Sequence, residues 1–218
     1  MNIVLRPSAC AWLSPLVLLA CQGTPRRVLR DADYPGELLP PAALGTDLLW
    51  QQRVTASWGE SDERGFDAAV QKQGDELLVV GFSPLGQAGF VLKLRDGLVA
   101  FENKTDMELP FPPRYVLLDV QRTFYPWLPH DDVPADGERT AVVGAEHIVE
   151  VHRVGRLVER RFTRLDGVPA GTITVRYEWS DGDAGRIAPR RAVLDNGWFG
   201  YRMTVDTHTE AVLPPQAP

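Results

Sequence analysis

Two cysteines are the only thiols in the 218-residue chain, and one of them stands where acylation chemistry would find it. Cys21 closes the run Leu18-Leu19-Ala20-Cys21, at the end of an apolar stretch, Ala11 to Leu19, that follows the positive charges of the amino terminus and Arg6. A charged start, an apolar segment too short to span a bilayer and a small residue before the cut make a secretory leader, and a cysteine directly after the cut is the pattern of a bacterial lipobox. The expectation is a leader over residues 1–20 and a mature chain that begins at Cys21, membrane-anchored through acylation of that thiol. Cys10 has no apolar run ahead of it and leaves with the leader, so the mature protein has no disulfide even in an oxidising compartment. Gln22, rather than Asp, follows the cysteine, which favours sorting to the outer membrane, on its periplasmic face.

Other reactive residue types occur without the spacing that chemistry needs. Ser83 in Gly81-Phe82-Ser83-Pro84-Leu85-Gly86 is no nucleophile elbow, because Leu85 stands where the second glycine belongs. There is no phosphate loop, dinucleotide fingerprint or His-Glu-x-x-His pair. His130, His147, His152 and His208 are scattered, and a spacing of five puts His147 and His152 on opposite faces of a strand. Asp181-Gly182-Asp183 lacks the acidic residue that would finish a calcium loop, and His130-Asp131-Asp132 reads as a solvated loop. The expectation is a protein that is not an enzyme and carries no metal or cofactor. With 23 basic and 29 acidic residues and no cationic run, nucleic acid is excluded as a partner.

The elements that must carry any function come from the hydrophobic pattern. About 200 residues after the leader suit one domain. Residues 21–41, rich in Pro, Gly and Arg and without periodicity, read as a lipidated tether; 42–213 as the domain; 214–218 as a disordered tail. Trp50, Gln52, Val54 and Ala56 alternate with Gln51, Arg53 and Thr55, and Phe66, Ala68 and Val70 repeat the period of two. Strand signals continue over 76–82, 89–94 and 98–102. After a break they return over 147–151, 157–164, 172–179, 191–194 and 200–207. Between the two groups, 112–125 predicts a helix, with Val116, Val120 and Phe124 on one stripe and prolines at both ends. Residues 130–137 read as a polar loop. No crossover helix lies within either strand group, so the sheet is expected to be antiparallel.

Residues 77–87, Leu-Leu-Val-Val-Gly-Phe-Ser-Pro-Leu-Gly-Gln, followed by Phe90-Val91-Leu92, resemble the strand–Pro-Leu-Gly–strand hairpin of the LolA/LolB family. Leu117-Leu118-Asp119-Val120-Gln121 with Phe124 and Pro126, and Leu194-Asp195-Asn196 with Gly200-Tyr201, resemble a family of lipoproteins encoded beside aryl polyene biosynthesis genes. The first resemblance implies a mainly β (α+β) fold: a strongly curved antiparallel sheet forming an incomplete barrel, with a central helix packed inside it or across its mouth. It also implies a membrane-inserting turn at Pro84, Leu85 and Gly86, and a periplasmic carrier protein as a partner.

Such a half-barrel encloses an apolar cavity, and Trp50, Phe66, Phe82, Phe90, Phe101, Val116, Val120, Phe124, Trp179 and Tyr201 are the candidates to line it. The expected function is binding of an acyl or polyene-like lipid and assistance in its transfer or insertion at the outer membrane. The alternative is an assembly factor that binds protein partners there and takes no ligand. An esterase or acyltransferase is the least supported reading, because no Ser-His-Asp signature is present.

Overall fold

The computed structural model describes residues 34–59, 62–105, 112–129, 134–180 and 185–214. The leader, Cys21, the tether up to residue 33, His130-Asp131-Asp132 and Asp181-Gly182-Asp183 lie outside the described residues, as does the tail beyond Pro214.

Period-two alternation builds most of the molecule. β1 (Leu48–Trp58), β2 (Asp62–Gln73), β3 (Glu76–Phe82), β4 (Ala88–Arg95) and β5 (Leu98–Asn103) run as a meander, followed by α1 (Pro113–Phe124). Then come β6 (Gly137–Val143), β7 (Glu146–Arg153), β8 (Arg156–Arg164), β9 (Thr172–Glu178), β10 (Arg191–Asn196) and β11 (Tyr201–Val212). β11 returns to pair antiparallel with β1, setting Val54 opposite Val205, and the two meanders fuse into one 11-stranded sheet ordered β5-β4-β3-β2-β1-β11-β10-β9-β8-β7-β6. β5 and β6 are its edges and do not pair with each other, so the barrel is incomplete. α1 touches β4 and β5 at one edge and β10, just past the middle of the strand order, so the sheet wraps around the helix.

β6 falls between the polar loop of 130–137 and the strand read over 147–151, in residues to which the sequence pattern assigns no element. As an edge strand it packs on one side only, and Gly137-Glu138-Arg139-Thr140 carries no apolar alternation to mark it. β5 is exposed along its whole length.

The helix divides the core. Tyr115 and Leu118 pack with Ile148, Phe162, Ile173 and Val175 of the second meander, while Leu117 and Tyr125 pack with Leu48, Trp50, Val70 and Leu77 of the first. Tyr34 to Leu39, read from sequence as tether, belong to the fold instead. Gln121 donates from Nε2 to the Leu39 carbonyl (2.7 Å) and accepts from the Leu39 amide (2.8 Å). Arg114 donates to the carbonyls of Tyr34 and Gly36, and Arg122 to that of Pro35. This strap has no periodicity because side chains of α1, not a ladder, satisfy its backbone. Gly36 has φ +111°, and a Cβ there would stand 2.7 Å from an Arg122 guanidinium nitrogen. Among the described residues the hydrophobic clusters run from Tyr34 to Val205, and a chain starting at Gln22 includes all of them. Among the described residues no helix is long and apolar enough to cross a membrane.

Candidate binding cavity

One face of α1 does not close against the sheet. Between it and β1–β4 and β11 lies a cavity of about 660 Å³, within the usual range for small-molecule sites. Its walls are Val54, Ala56 and Trp58 of β1; Gly65, Phe66, Ala68 and Val70 of β2; Val79 and Phe82 of β3; Phe90 of β4; Val116, Val120 and Phe124 of α1; and Met203 and Val205 of β11. Polar groups enter at Gln52, Arg64, Asp119 and Thr123. The space exists because small residues stand where large ones would fill it: Ala56 and Ala68 line it. Phe90 is pressed flat against the sheet over Gly81, and Phe66 meets it edge-on, centroids 5.8 Å apart. Phe124 forms the floor over Trp50, their ring centroids 4.9 Å apart, and the Trp50 indole is fixed by donating to Glu210 at 3.0 Å.

The end of β1, the start of β2, the end of β3 and the start of β4 lie at the same end of the sheet. There the turn Ser83–Gln87 stands beside the cavity mouth, with Pro84 in the wall and Leu85 86 % exposed. The Ser83 amide donates to the Gln87 carbonyl at 2.8 Å and the Gly86 amide to that of Ser83 at 2.9 Å; Gly86 takes the left-handed φ of +76° that this turn requires.

Behind the cavity wall α1 anchors a buried polar network. Asp119 accepts from the Tyr34 hydroxyl at 2.5 Å and the Tyr201 hydroxyl at 2.6 Å, and the Asn196 amide donates to both tyrosine oxygens. Burial pushes the Asp119 carboxyl up to about 6, against the downward pull of the two hydroxyls and of Arg122. One turn on, Arg122 makes a two-pronged pair with Glu146, both bonds 3.0 Å, and lies within 4.8–5.8 Å of the ring centroids of Tyr34, Trp127, Phe162 and Trp198. Arg160 pairs with Glu150 at 2.7 Å and donates to the carbonyls of Arg122 and Tyr125 at the helix end.

Of the ten lining candidates read from sequence, the cavity brings together Phe66, Phe82, Phe90, Val116, Val120 and Phe124. Four stand elsewhere. Trp50 is fully buried beneath the floor. Phe101 lies on edge strand β5, 39 % exposed. Trp179 follows β9 and packs in the other half of the core, donating to the Leu157 carbonyl at 2.8 Å. Tyr201 points behind the helix to Asp119. Gln52 and Asp119 were not singled out, although a polar residue at an inward position of a β run and a carboxylate beside an apolar stripe were signals present in the sequence. No group of three metal-ligating side chains occurs among the described residues.

The fold has relatives among solved structures. A LolA superfamily protein from Nitrosomonas europaea aligns over 78 % of this chain and 88 % of its own at 12 % identity, TM-score 0.47. A putative outer membrane lipoprotein-sorting protein domain from Vibrio parahaemolyticus aligns over 77 % and 85 % at 8 % identity, TM-score 0.40. The Mycobacterium tuberculosis lipoprotein LppX aligns over 73 % and 84 % at 9 % identity, TM-score 0.31. No curated protein matches the chain in sequence. Residues 49–209, from the second residue of β1 to near the end of β11, match the family described as protein of unknown function DUF3261, and the chain belongs to that family.

Proposed function

We propose that this protein binds an acyl or polyene-like lipid in the cavity beside α1 and, held at the periplasmic face of the outer membrane by acylated Cys21, assists the transfer or insertion of that lipid, which it receives from a periplasmic carrier protein. The observation that carries the reading is the cavity: about 660 Å³, walled by aliphatic and aromatic side chains, with the exposed Leu85 turn at its mouth. A long apolar chain in water carries about 25 cal/mol per Å² of exposed surface, and transfer into such a space removes that term.

The test is lipid extraction and mass spectrometry on the chain starting at Gln22, purified from the cell that makes it, with titration of the fluorescent polyene cis-parinaric acid in parallel. Bound acyl or polyene species and saturable one-to-one fluorescence are expected. A ligand-free protein that also fails to bind the probe overturns the proposal. The alternative of an assembly factor draws on edge strand β5, where Val99 (37 % exposed) and Phe101 (39 %) share one face. Under that reading, Phe101→Asp would abolish co-purification of a protein partner and leave parinaric acid binding intact.

A further inference from the structure

The concave face of β2 changes character along its length. From the mouth inward every second residue reads Asp62, Arg64, Phe66, Ala68 and Val70, and the last four of these line the cavity. Register sets Asp62 opposite Trp58 and Arg64 opposite Ala56, so the two charges stand at the solvent end of the wall, while Val70 lies opposite Trp50 at the floor. Among the described residues Arg64 is the one cation that lines the cavity.

Its guanidinium is held loosely. The one polar contact it makes among the described residues runs from Nε to Asp62 Oδ1 at 3.8 Å, longer than a hydrogen bond, and the Arg64 side chain is 56 % exposed. Both Nη groups therefore keep their N–H donors for solvent or a ligand. Nearby arginines are committed elsewhere. Arg53 pairs with Asp67 at 3.1 Å on the outer face, and Arg114 donates to the carbonyls of Tyr34 and Gly36 in the strap.

The helix adds to the positive field at this end. Tyr115, in the first turn of α1, packs on Phe199 of the β10–β11 turn with centroids 5.4 Å apart, and that turn leads into Tyr201, opposite Trp58. Phe124, in the last turn, lies over Trp50 at the floor. The positive end of the helix dipole thus points toward the mouth, and no side chain caps it.

An amphipathic ligand enters such a space tail-first, because burying its head among Phe66, Ala68, Val70 and Val205 would strip the head of water without return. The head then rests beside Arg64. Arginine stays protonated at any physiological pH, and its planar fork matches the oxygens of a carboxylate or a phosphate. Resting on the lipid-binding reading, we infer that the cavity takes an acidic lipid tail-first, its carboxylate or phosphate head received at the mouth by the Arg64 guanidinium.

The experiment titrates the chain starting at Gln22 with cis-parinaric acid and with its methyl ester, which share one fluorescent chain and differ by one charge. At low salt the acid should bind roughly three- to tenfold more tightly than the ester, the range of a charge-assisted pair at a half-exposed site. Raising ionic strength from about 0.01 M to about 1 M shortens the screening length from about 30 Å to about 3 Å and should remove most of that preference. Arg64→Gln should bring the acid down to the level of the ester and leave the ester within about twofold, while Arg64→Lys should keep part of the preference. Both variants should melt with the wild type, since the side chain is exposed and makes no hydrogen bond within the fold. Hexadecyl phosphate should displace the acid more effectively than 1-hexadecanol, and inorganic phosphate should not displace it. Equal affinity for acid and ester, or an acid preference that survives in Arg64→Gln, overturns the inference and leaves lipid binding standing. Displacement by inorganic phosphate makes the site one for a free anion and overturns the lipid head. Failure of both probes to bind removes the lipid-binding reading itself, which keeps the two failures distinct.

Discussion

The Phe90 ring lies so close over Gly81 that a Cβ added to the glycine would stand 2.1 Å from the ring's Cε1. The two residues face each other across β3 and β4, and the glycine is what lets the ring lie flat on the sheet instead of standing up into the cavity. Gly81→Ala should push Phe90 inward and take up binding space. Expected are a loss of parinaric acid affinity of tenfold or more and a stability change of about 1–3 kcal/mol from overpacking. The double variant Gly81→Ala with Phe90→Leu should regain binding. Unchanged affinity in the single variant would mean that the probe sits elsewhere.

Arg122 and Glu146 tie the helix to β7 and, through the Pro35 carbonyl, to the strap. With the Arg122 side chain at 0 % and that of Glu146 at 5 % exposure, removing one partner strands a buried charge. Arg122→Met should destabilise by about 3–5 kcal/mol in urea unfolding. Replacing both, Arg122→Met with Glu146→Leu, should recover much of that loss. A double variant as unstable as the single one would show that the bond to Pro35, and not the ion pair, carries the effect.

Asp119 gives stability a pH dependence of defined sign. Its carboxyl is raised to about 6 chiefly by burial, with Tyr34 from the strap, Tyr201 from β11 and Arg122 from α1 facing it. A folded value above the unfolded one means that its contribution is fully present below about pH 3.9 and is lost as the pH rises through 6. Relative to Asp119→Asn, the wild type should therefore lose on the order of 3 kcal/mol between pH 4 and pH 7. Unfolding of both proteins at pH 4, 5.5 and 7 measures it. A difference that is flat, or that grows in favour of the wild type with pH, contradicts the assignment.

Particular residues show what the chain discloses and what it conceals. Glu76–Phe82 was legible to the residue as β3 because Gly74-Asp75 and Ser83-Pro84 bracket a short apolar run rich in valine and leucine. The helix was legible because Val116, Val120 and Phe124 repeat its period, and these three face the cavity. β6 was not, since an edge needs little apolar pattern. The burial of Asp119 rests on tyrosines 85 and 82 residues away, a relationship that local periodicity does not encode. Trp179 and Phe101 look like lining residues on composition alone, and only the order of strands sends one to the far half of the core and the other to an edge.

Leu85 separates a role in delivery from a role in folding. At 86 % exposure it contributes little packing, so Leu85→Glu should change stability by no more than about 0.5 kcal/mol and leave the melting temperature almost unmoved. Because Pro84 and not Leu85 lines the cavity, parinaric acid affinity should also be unchanged. Transfer is the step that should fail. If the turn enters the bilayer to hand over the ligand, a carboxylate at its tip opposes entry, since an ionised side chain costs about 2.5–3.5 kcal/mol at the membrane centre and less toward the interface. Transfer of parinaric acid from loaded protein to phospholipid vesicles, followed by loss of its bound-state fluorescence, should slow roughly tenfold, the rate equivalent of about 1.4 kcal/mol. Leu85→Phe should transfer at the wild-type rate or faster, because it restores an apolar tip. Wild-type transfer by Leu85→Glu would remove the membrane role from this turn, and a large fall in melting temperature would return Leu85 to the core.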